Sequence, residues 1–273
     1  MLFRSRDPRY GVEKAELARN FINKIWNATK FYLNMADNDV KVADYSLADK
    51  WILTKLQNII KSTTKRYEKF DFGIAANELQ GFFWGDFCDW YIEACKVTPN
   101  KKVFGYVLTE FLKLINPVMP FVTEQIYCVE LGLAKSLLRE NFPIENKKMN
   151  FAKEKKEFDK LIELVQSIRN AKKEVAGFQG VVIDKALTKQ KAVIEKLTGV
   201  NIDLGEKFVL SIDSTEAKKK AEAKVELLKA EIARSEKMLG NAGFVAKAPK
   251  ALIDAEKQKL ADNQAELASL LKG

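Results

Sequence analysis

The chain has 273 residues, 47% of them apolar and 30% charged, a balance that fits one large or two modest soluble domains and is neither disordered nor membrane-like. Forty-six Lys and Arg against 37 Asp and Glu leave a formal charge of +9, which suits a polyanionic partner. The absence of histidine excludes His-based acid–base catalysis, Ser–His and Cys–His nucleophile pairs and a His-ligated zinc.

Cys88, Cys95 and Cys128 form no C-x-x-C pair, and three thiols cannot fill a four-cysteine zinc site. So few cysteines in a chain of this length predict a reducing, cytoplasmic setting. No apolar run is long enough to span a membrane. The stretch Met1 to Tyr10, with Arg4, Arg6, Asp7 and Arg9, lacks an apolar signal core. Thirteen Gly and six Pro fall at punctuation points between long runs of good helix formers, so the expected fold is mainly α.

Residues 12–35 carry an amphipathic pattern, with Ala15, Ala18, Phe21, Ile22, Ile25, Trp26, Thr29 and Leu33 on one face. Lys14, Arg19, Asn20, Asn23, Lys24, Asn27 and Lys30 occupy the other. A second helix is predicted over 46–68, with Ser46 as N-cap, Asp49 three residues on, and Trp51, Ile52, Leu56, Ile59 and Ile60 as its apolar stripe. A third, over 73–96, is rich in aromatics, and Thr98-Pro99-Asn100 ends it. A fourth, over 101–133, should break near Asn116 because of Pro117 and Pro120. Four long helices with short connections suggest an antiparallel bundle over 1–146.

From Lys147 a charged helix leads into short β-type runs at Val181–Ile183 and Phe208–Ile212, with a helical stretch from Leu187 to Leu197 between them. Residues 147–213 therefore read as a connecting helix and a small α/β insert of two or three short strands. Over 214–273 the pattern turns heptadic. Ala221, Val225, Leu228, Ile232, Ser235 and Leu239 are spaced 4, 3, 4, 3, 4, and Ile253, Lys257, Leu260, Gln264, Leu267 and Leu271 repeat the spacing. Gly240 stops the first segment and Pro249 precedes the second, the pattern of an antiparallel coiled-coil hairpin with Lys257 and Gln264 as imperfections in its seam.

Neither G-x-x-x-x-G-K-[ST] nor G-x-G-x-x-G is present. Asp86, Asp89 and Glu93 share a helix face, but an acidic edge beside basic helices explains them better than a metal or acid–base site. The aromatics Phe82, Phe83, Trp84, Phe87, Trp90 and Tyr91 recur at helical spacing, which favours a core role over base stacking. The Lys and Asn face of the first helix carries the residue types that meet phosphates and base edges, although a solvated face accounts for the pattern equally well. Lys218, Lys219, Lys220 and Lys224 could form a phosphate rail, a reading weakened by interleaved Glu216, Glu222, Glu226 and Glu231.

Longer stretches carry a family resemblance. Arg19-Asn20-Phe21-Ile22-Asn23-Lys24-Ile25-Trp26-Asn27-Ala28 resembles the entry helix of the anticodon-binding domain of valyl-tRNA synthetases, and Leu47-Ala48-Asp49-Lys50-Trp51-Ile52-Leu53 the start of its next helix. Asp86-Phe87-Cys88-Asp89-Trp90-Tyr91-Ile92-Glu93 resembles its D-F-C-D-W-Y-x-E motif. Asn116-Pro117-Val118-Met119-Pro120-Phe121-Val122-Thr123-Glu124 resembles H-P-x-M-P-F-x-T-E, with Asn in place of the usual His. Ser167-Ile168-Arg169-Asn170 matches the helix after the bundle. The turn Leu239-Gly240-Asn241-Ala242-Gly243-Phe244-Val245-Ala246-Lys247-Ala248-Pro249 is similar to L-x-N-x-G-F-V-x-K-A-P in the C-terminal arm and points to the valyl family over its isoleucyl and leucyl relatives.

The resemblance covers nearly the whole chain and implies the tRNA-binding third of such an enzyme. It implies an anticodon-binding bundle, a short insert and a coiled-coil arm that supports the tRNA elbow. H-I-G-H and K-M-S-K-S are missing, so the aminoacylation and editing domains, with their ATP and magnesium, would lie upstream of Met1. The chain alone is then expected to bind no cofactor and form no aminoacyl-adenylate. It would be an excised portion, one half of a split enzyme or a standalone derivative. The implied partner is tRNA-Val, with the missing catalytic half in cis or in trans and no membrane. On matching positions, the implied anticodon-side contacts are Arg19, Lys24, Asn27 and Lys30, with Asp86 and Trp90 as positioning residues. On the arm they are Lys218, Lys219, Lys220, Lys224, Arg234 and Lys237, with Phe244 and Lys247 at its tip. A competing reading is a protein-interaction module that docks onto a separate catalytic subunit.

Overall fold

A computed structural model describes residues 12–38, 40–175, 178–205, 209–212, 214–240, 253, 255–260 and 262–264. They divide into two compact units. The first takes the described residues up to Val165 together with Lys189–Gly199, and the second takes Gln166–Thr188 and the described residues from Val200 on.

The first unit is helical, as its periodicity predicts. Helix α1 runs Val12–Leu33, α2 Leu47–Glu68 and α3 Phe72–Gly81. The chain then continues as a π-helical segment, Phe82–Tyr91, into α4, Ile92–Cys95. Helix α5 spans Lys101–Ile115 and α6 Pro120–Glu124, extended by a π-helical segment Gln125–Glu130. The expected break is at Asn116, where α5 ends, and Pro120 opens α6 at the position that lacks a helical hydrogen bond anyway. Helix α7, Ala152–Glu174, contributes its residues through Val165 to this unit.

Two caps anchor the starts of α2 and α5. Ser46 and Asp49 form a complete capping box: the Asp49 backbone N–H donates to Ser46 Oγ at 3.1 Å, and the Ser46 N–H donates to Asp49 Oδ2 at 3.0 Å. Asn100 caps α5 by accepting from the Val103 N–H at 3.1 Å. The Asp49 carboxyl joins the two caps, because it also accepts from Asn100 Nδ2 at 3.0 Å and from the Tyr91 hydroxyl at 2.7 Å.

The core is aromatic. Phe83 stacks on Phe111 at 4.2 Å between centroids, Phe87 meets Phe104 at 4.8 Å, and Trp51 meets Phe158 of α7 at 4.8 Å. The aromatics predicted to be core divide as expected for a half-buried helix. Phe82, Phe83, Phe87 and Tyr91 are buried, while Trp84 and Trp90 are half-buried. The widened π-helical turn, which the sequence pattern does not announce, carries this run. Phe21 of α1 approaches Phe111 of α5, and Tyr32 stacks on Phe104, so residue numbers rise along α1 as they fall along α5. The two helices are close enough that a Cβ on Gly105 would stand 2.8 Å from the Tyr32 ring.

The helical stretch expected inside the α/β insert forms α8, Lys191–Thr198, and belongs with the first unit, where it contacts α4. Gly199 ends it in the left-handed conformation at φ 61°, its N–H donating to Glu195 O at 2.8 Å.

In the second unit, β1 (Phe178–Asp184) is the central strand of a three-stranded sheet, with β2 (Asn201–Gly205) parallel on one side and β3 (Val209–Ile212) antiparallel on the other. Gly180 is required by close approach: a Cβ there would lie 3.0 Å from the Asn201 carbonyl oxygen. Helix α9, Ser214–Gly240, follows. On it Leu228 and Ser235 are buried and Ile232 and Leu239 half-buried, matching the predicted stripe. Ser235 Oγ donates to Glu256 at 2.6 Å, Asn263 Nδ2 donates to Glu231 at 3.0 Å, and Lys259 lies 3.8 Å from Glu231. Lys257 and Gln264, expected at the seam, are exposed instead, since their polar heads stay in water at little cost there. Among the described residues no helix is long and apolar enough to cross a membrane.

Candidate nucleic-acid interface

The basic face of α1 is built by its apolar one. Phe21, Ile25 and Ala28 are buried, and this orients Arg19, Asn27 and Lys30 outward, where all three are exposed. Asn27 and Lys30 lie three residues apart on one face, and Arg19 lies about 16 Å along the axis from Lys30.

Lys24 is half-buried and already engaged. Its ammonium lies 3.5 Å from Asp89 and 5.2 Å above the Trp84 ring, which in turn stacks parallel to Phe21. Lys24 and Asn27 enter a cleft of about 300 Å³ that α1 shares with the stretch Cys88–Lys96, with Phe31, Glu93 and Lys96 in its wall. Lys96 and Glu93 pair at 2.6 Å. The cleft thus offers two ammonium groups, an amide and an aromatic ring, with each ammonium held by a carboxylate that an anion could displace at modest cost. Lys96 and Phe31 are absent from the residues expected from the sequence. The periodicity of α1 could not reveal a wall contributed by a helix more than 60 residues away.

Asp86 sits elsewhere. It pairs with Lys55 of α2 at 3.1 Å, and Lys55 also lies 5.4 Å over the Trp51 ring, whose indole N–H donates to Asp159 at 2.9 Å. Burial raises the Asp86 carboxyl above its usual range despite the opposing Lys55 charge. This geometry makes Asp86 a brace between helices. Trp90 is half-buried on the same π-helical segment. Asp86, Asp89 and Glu93 therefore do not converge; each faces its own lysine, Lys55, Lys24 or Lys96. Among the described residues no group of three carboxylates or thiols could hold a metal ion. The Cys88 thiol, beside the cleft, is pushed up to about 12 by burial and is inert as a nucleophile at neutral pH.

On the arm, Arg234 and Lys237 are exposed on α9. Lys218, Lys219, Lys220 and Lys224 lie on the same helix, whose side chains are described only from Glu226 on. Phe244 and Lys247 fall outside the described residues.

Residues 49–177 match the family described as the anticodon-binding domain of tRNA ligase, and residues 213–273 match the valyl tRNA synthetase tRNA binding arm. The valine–tRNA ligase of Lactiplantibacillus plantarum is 32% identical over 97% of this chain, and that of Thermotoga maritima is 33% identical over 97%. The enzyme of Clostridium acetobutylicum is 32% identical over 93%. In each case the chain spans about a third of the relative's length, 35%, 34% and 34% respectively. The aligned portion is their C-terminal one. Two domain matches in the right order, together with near-complete alignment to these enzymes, place the chain in the valyl-tRNA synthetase family, as a C-terminal part bearing the anticodon-binding domain and the arm.

Proposed function

We propose that this chain is the tRNA-binding portion of a valine–tRNA ligase. The observation that carries the reading is the α1 surface, where exposed Arg19, Asn27 and Lys30 flank a cleft that holds Lys24, Lys96 and Phe31. That combination suits an unstacked base and its phosphate, with the ring as platform and the cations on the backbone. The bundle is then an antiparallel one, supported by the reversed order of ring contacts between α1 and α5. The arm is an antiparallel coiled-coil hairpin, supported by the pairing of Ser235 with Glu256 and of Glu231 with Lys259 and Asn263. Its basic residues, Arg234 and Lys237 with Lys218, Lys219, Lys220 and Lys224, take the phosphates of the tRNA elbow. ATP and magnesium belong to the aminoacylation part of the enzyme, which works with this chain in cis or in trans, in the cytoplasm.

The test is binding of tRNA-Val and a noncognate tRNA across a salt series. Preference for tRNA-Val and an affinity that falls with salt are expected. Lys30→Ala lowers the slope of log K against log salt by about 0.9 or less, and Asn27→Ala reduces the preference for tRNA-Val. Equal binding of both tRNAs by the wild-type chain overturns the anticodon reading.

A further inference from the structure

The arm is polar where two packed helices are usually apolar. On α9, Leu228 and Ser235 are buried and Glu231, Ile232 and Leu239 half-buried. On the second strand the described residues, Ile253, 255–260 and 262–264, are helical. Among them the half-buried ones are Ile253, Glu256, Leu260 and Asn263, spaced 3, 4 and 3, the heptad spacing of a face turned to a partner helix. Every second position of that stripe is polar, and each polar position meets a polar partner on α9. Glu256 accepts from Ser235 Oγ at 2.6 Å. Asn263 Nδ2 donates to Glu231 at 3.0 Å, and Lys259 stands 3.8 Å from the same carboxylate.

Residue numbers rise along α9 as they fall along the second strand, so these three contacts belong to one register. The same register sets Ile232 opposite Leu260 and Leu239 opposite Ile253. Apolar layers are interchangeable, and polar layers are not. A slip of one heptad, which the stretch 241–252 is long enough to permit, would set Ile253 against Ile232, apolar on apolar as before. It would also part Ser235 from Glu256 and lay the carboxylate against Leu228. A buried hydroxyl without its partner is costly, so the polar layers reject the slipped pairing at some expense in stability. Resting on the tRNA-binding reading above, we infer that Ser235, Glu256 and Asn263 are positioning residues that index the two strands and so fix the reach of the arm along tRNA. A slip of one heptad carries one strand about 10 Å past the other and changes the arm's length by about 5 Å, more than a hydrogen bond to a phosphate can span.

The experiment uses the full 273-residue chain and reads register with paired cysteines. Ile232→Cys with Leu260→Cys reports the native register, and Ile232→Cys with Ile253→Cys reports the slip, each mapped by mass spectrometry of the linked peptides. With the polar layers intact only the first pair closes. With Ser235→Leu, Glu256→Leu and Asn263→Leu combined, both pairs close. The same triple change raises the melting of the arm, followed by circular dichroism apart from the tryptophan signal of the first unit. It lowers affinity for full-length tRNA-Val at least fivefold and leaves affinity for the isolated anticodon stem-loop within twofold. Arm stability and binding then move in opposite directions, which a purely structural role does not produce. Loss of the Glu256 charge would by itself strengthen binding, so the fall is not electrostatic. Ser235→Thr keeps the hydroxyl and matches wild type in every readout. A single register in the triple variant, a lowered melting of its arm, or full-length tRNA affinity within twofold of wild type each overturns the inference. Failure of the wild-type chain to bind the stem-loop overturns only the anticodon reading. Failure to bind either RNA overturns the tRNA-binding reading, while the cysteine pairs still decide the register.

Discussion

Removing the Asp49 carboxyl should destabilise the bundle about as much as truncating one of its core aromatics. Asp49 is 2% exposed and accepts from three donors on three different segments: the Ser46 N–H, the Asn100 amide and the Tyr91 hydroxyl. Tyr91 and Asn100 are themselves fully buried, so no water replaces what they lose. A hydrogen bond to a charged group contributes about 1.5–3 kcal/mol, and a buried donor left without a partner costs about 1–3 kcal/mol; as the three share one acceptor, the effects overlap. Asp49→Ala should therefore cost about 4 kcal/mol, of which roughly 1 is the lost cap. Asp49→Asn keeps the shape but turns one acceptor into a donor facing other donors, for about 2 kcal/mol. Tyr91→Phe, which removes only one donor, should cost about 1–1.5 kcal/mol. Urea unfolding followed by tryptophan fluorescence reads this unit alone, since Trp26, Trp51, Trp84 and Trp90 all lie within it. With a slope of about 2–3 kcal/mol/M, the Asp49→Ala midpoint should fall by about 1.3–2 M. A fall under about 0.5 M, or an Asp49→Asn midpoint equal to wild type, would refute the account of the shared carboxyl as the junction of two caps.

Two further outcomes follow from titration. Burial pushes the Cys88 and Cys95 thiols up to about 12, so at pH 8 only about one in 10⁴ is ionised, and both should resist iodoacetamide in the native chain yet react fully in urea; labelling of either at the rate of a free thiol would contradict the packing. Burial favours the protonated Asp86 over the ionised form, with Lys55 and Lys155 opposing and Asp159 reinforcing, so the stability this group contributes falls as pH rises above 3.8 and through its raised value. Asp86→Asn abolishes that titration, and its urea midpoint should gain on wild type across the window; parallel midpoint curves would show that Asp86 is not desolvated.

Much of the bundle was legible because its determinants are local. The spacing of Phe21, Ile25 and Thr29, the Ser46–Asp49 pair and the prolines after Asn116 each act within a turn or two of helix, and the starts of α1 and α2 and the end of α5 fall where they say. What joins distant residues was not legible. Nothing near Asp49 announces Tyr91 and Asn100, and nothing near Asn27 announces Lys96, because those partners meet only once the helices pack. The π-helical run escapes for another reason: ten residues are too few turns for the apolar pattern to separate an i→i+5 helix from an α-helix. The grouping of α8 with the bundle is a tertiary choice made by its contact with α4.

The meeting of Gly105 with Tyr32 bears on how the α1 surface responds to a ligand. The Tyr32 ring is wedged over the bare backbone of Gly105, stacked on Phe104 and topped by the Lys101 ammonium at 5.6 Å. A wedge of this kind works as a detent. To slide along its axis, α1 would have to carry the ring onto the side chains before or after the glycine, where there is no room. The helix is thus indexed to one notch, and Asn27, Lys30 and Phe31 just before the wedge inherit that setting. An anion at the proposed cleft would meet a fixed rail, and accommodation would be left to side-chain rotation, chiefly at Lys24 and Lys96, which pair with Asp89 and Glu93.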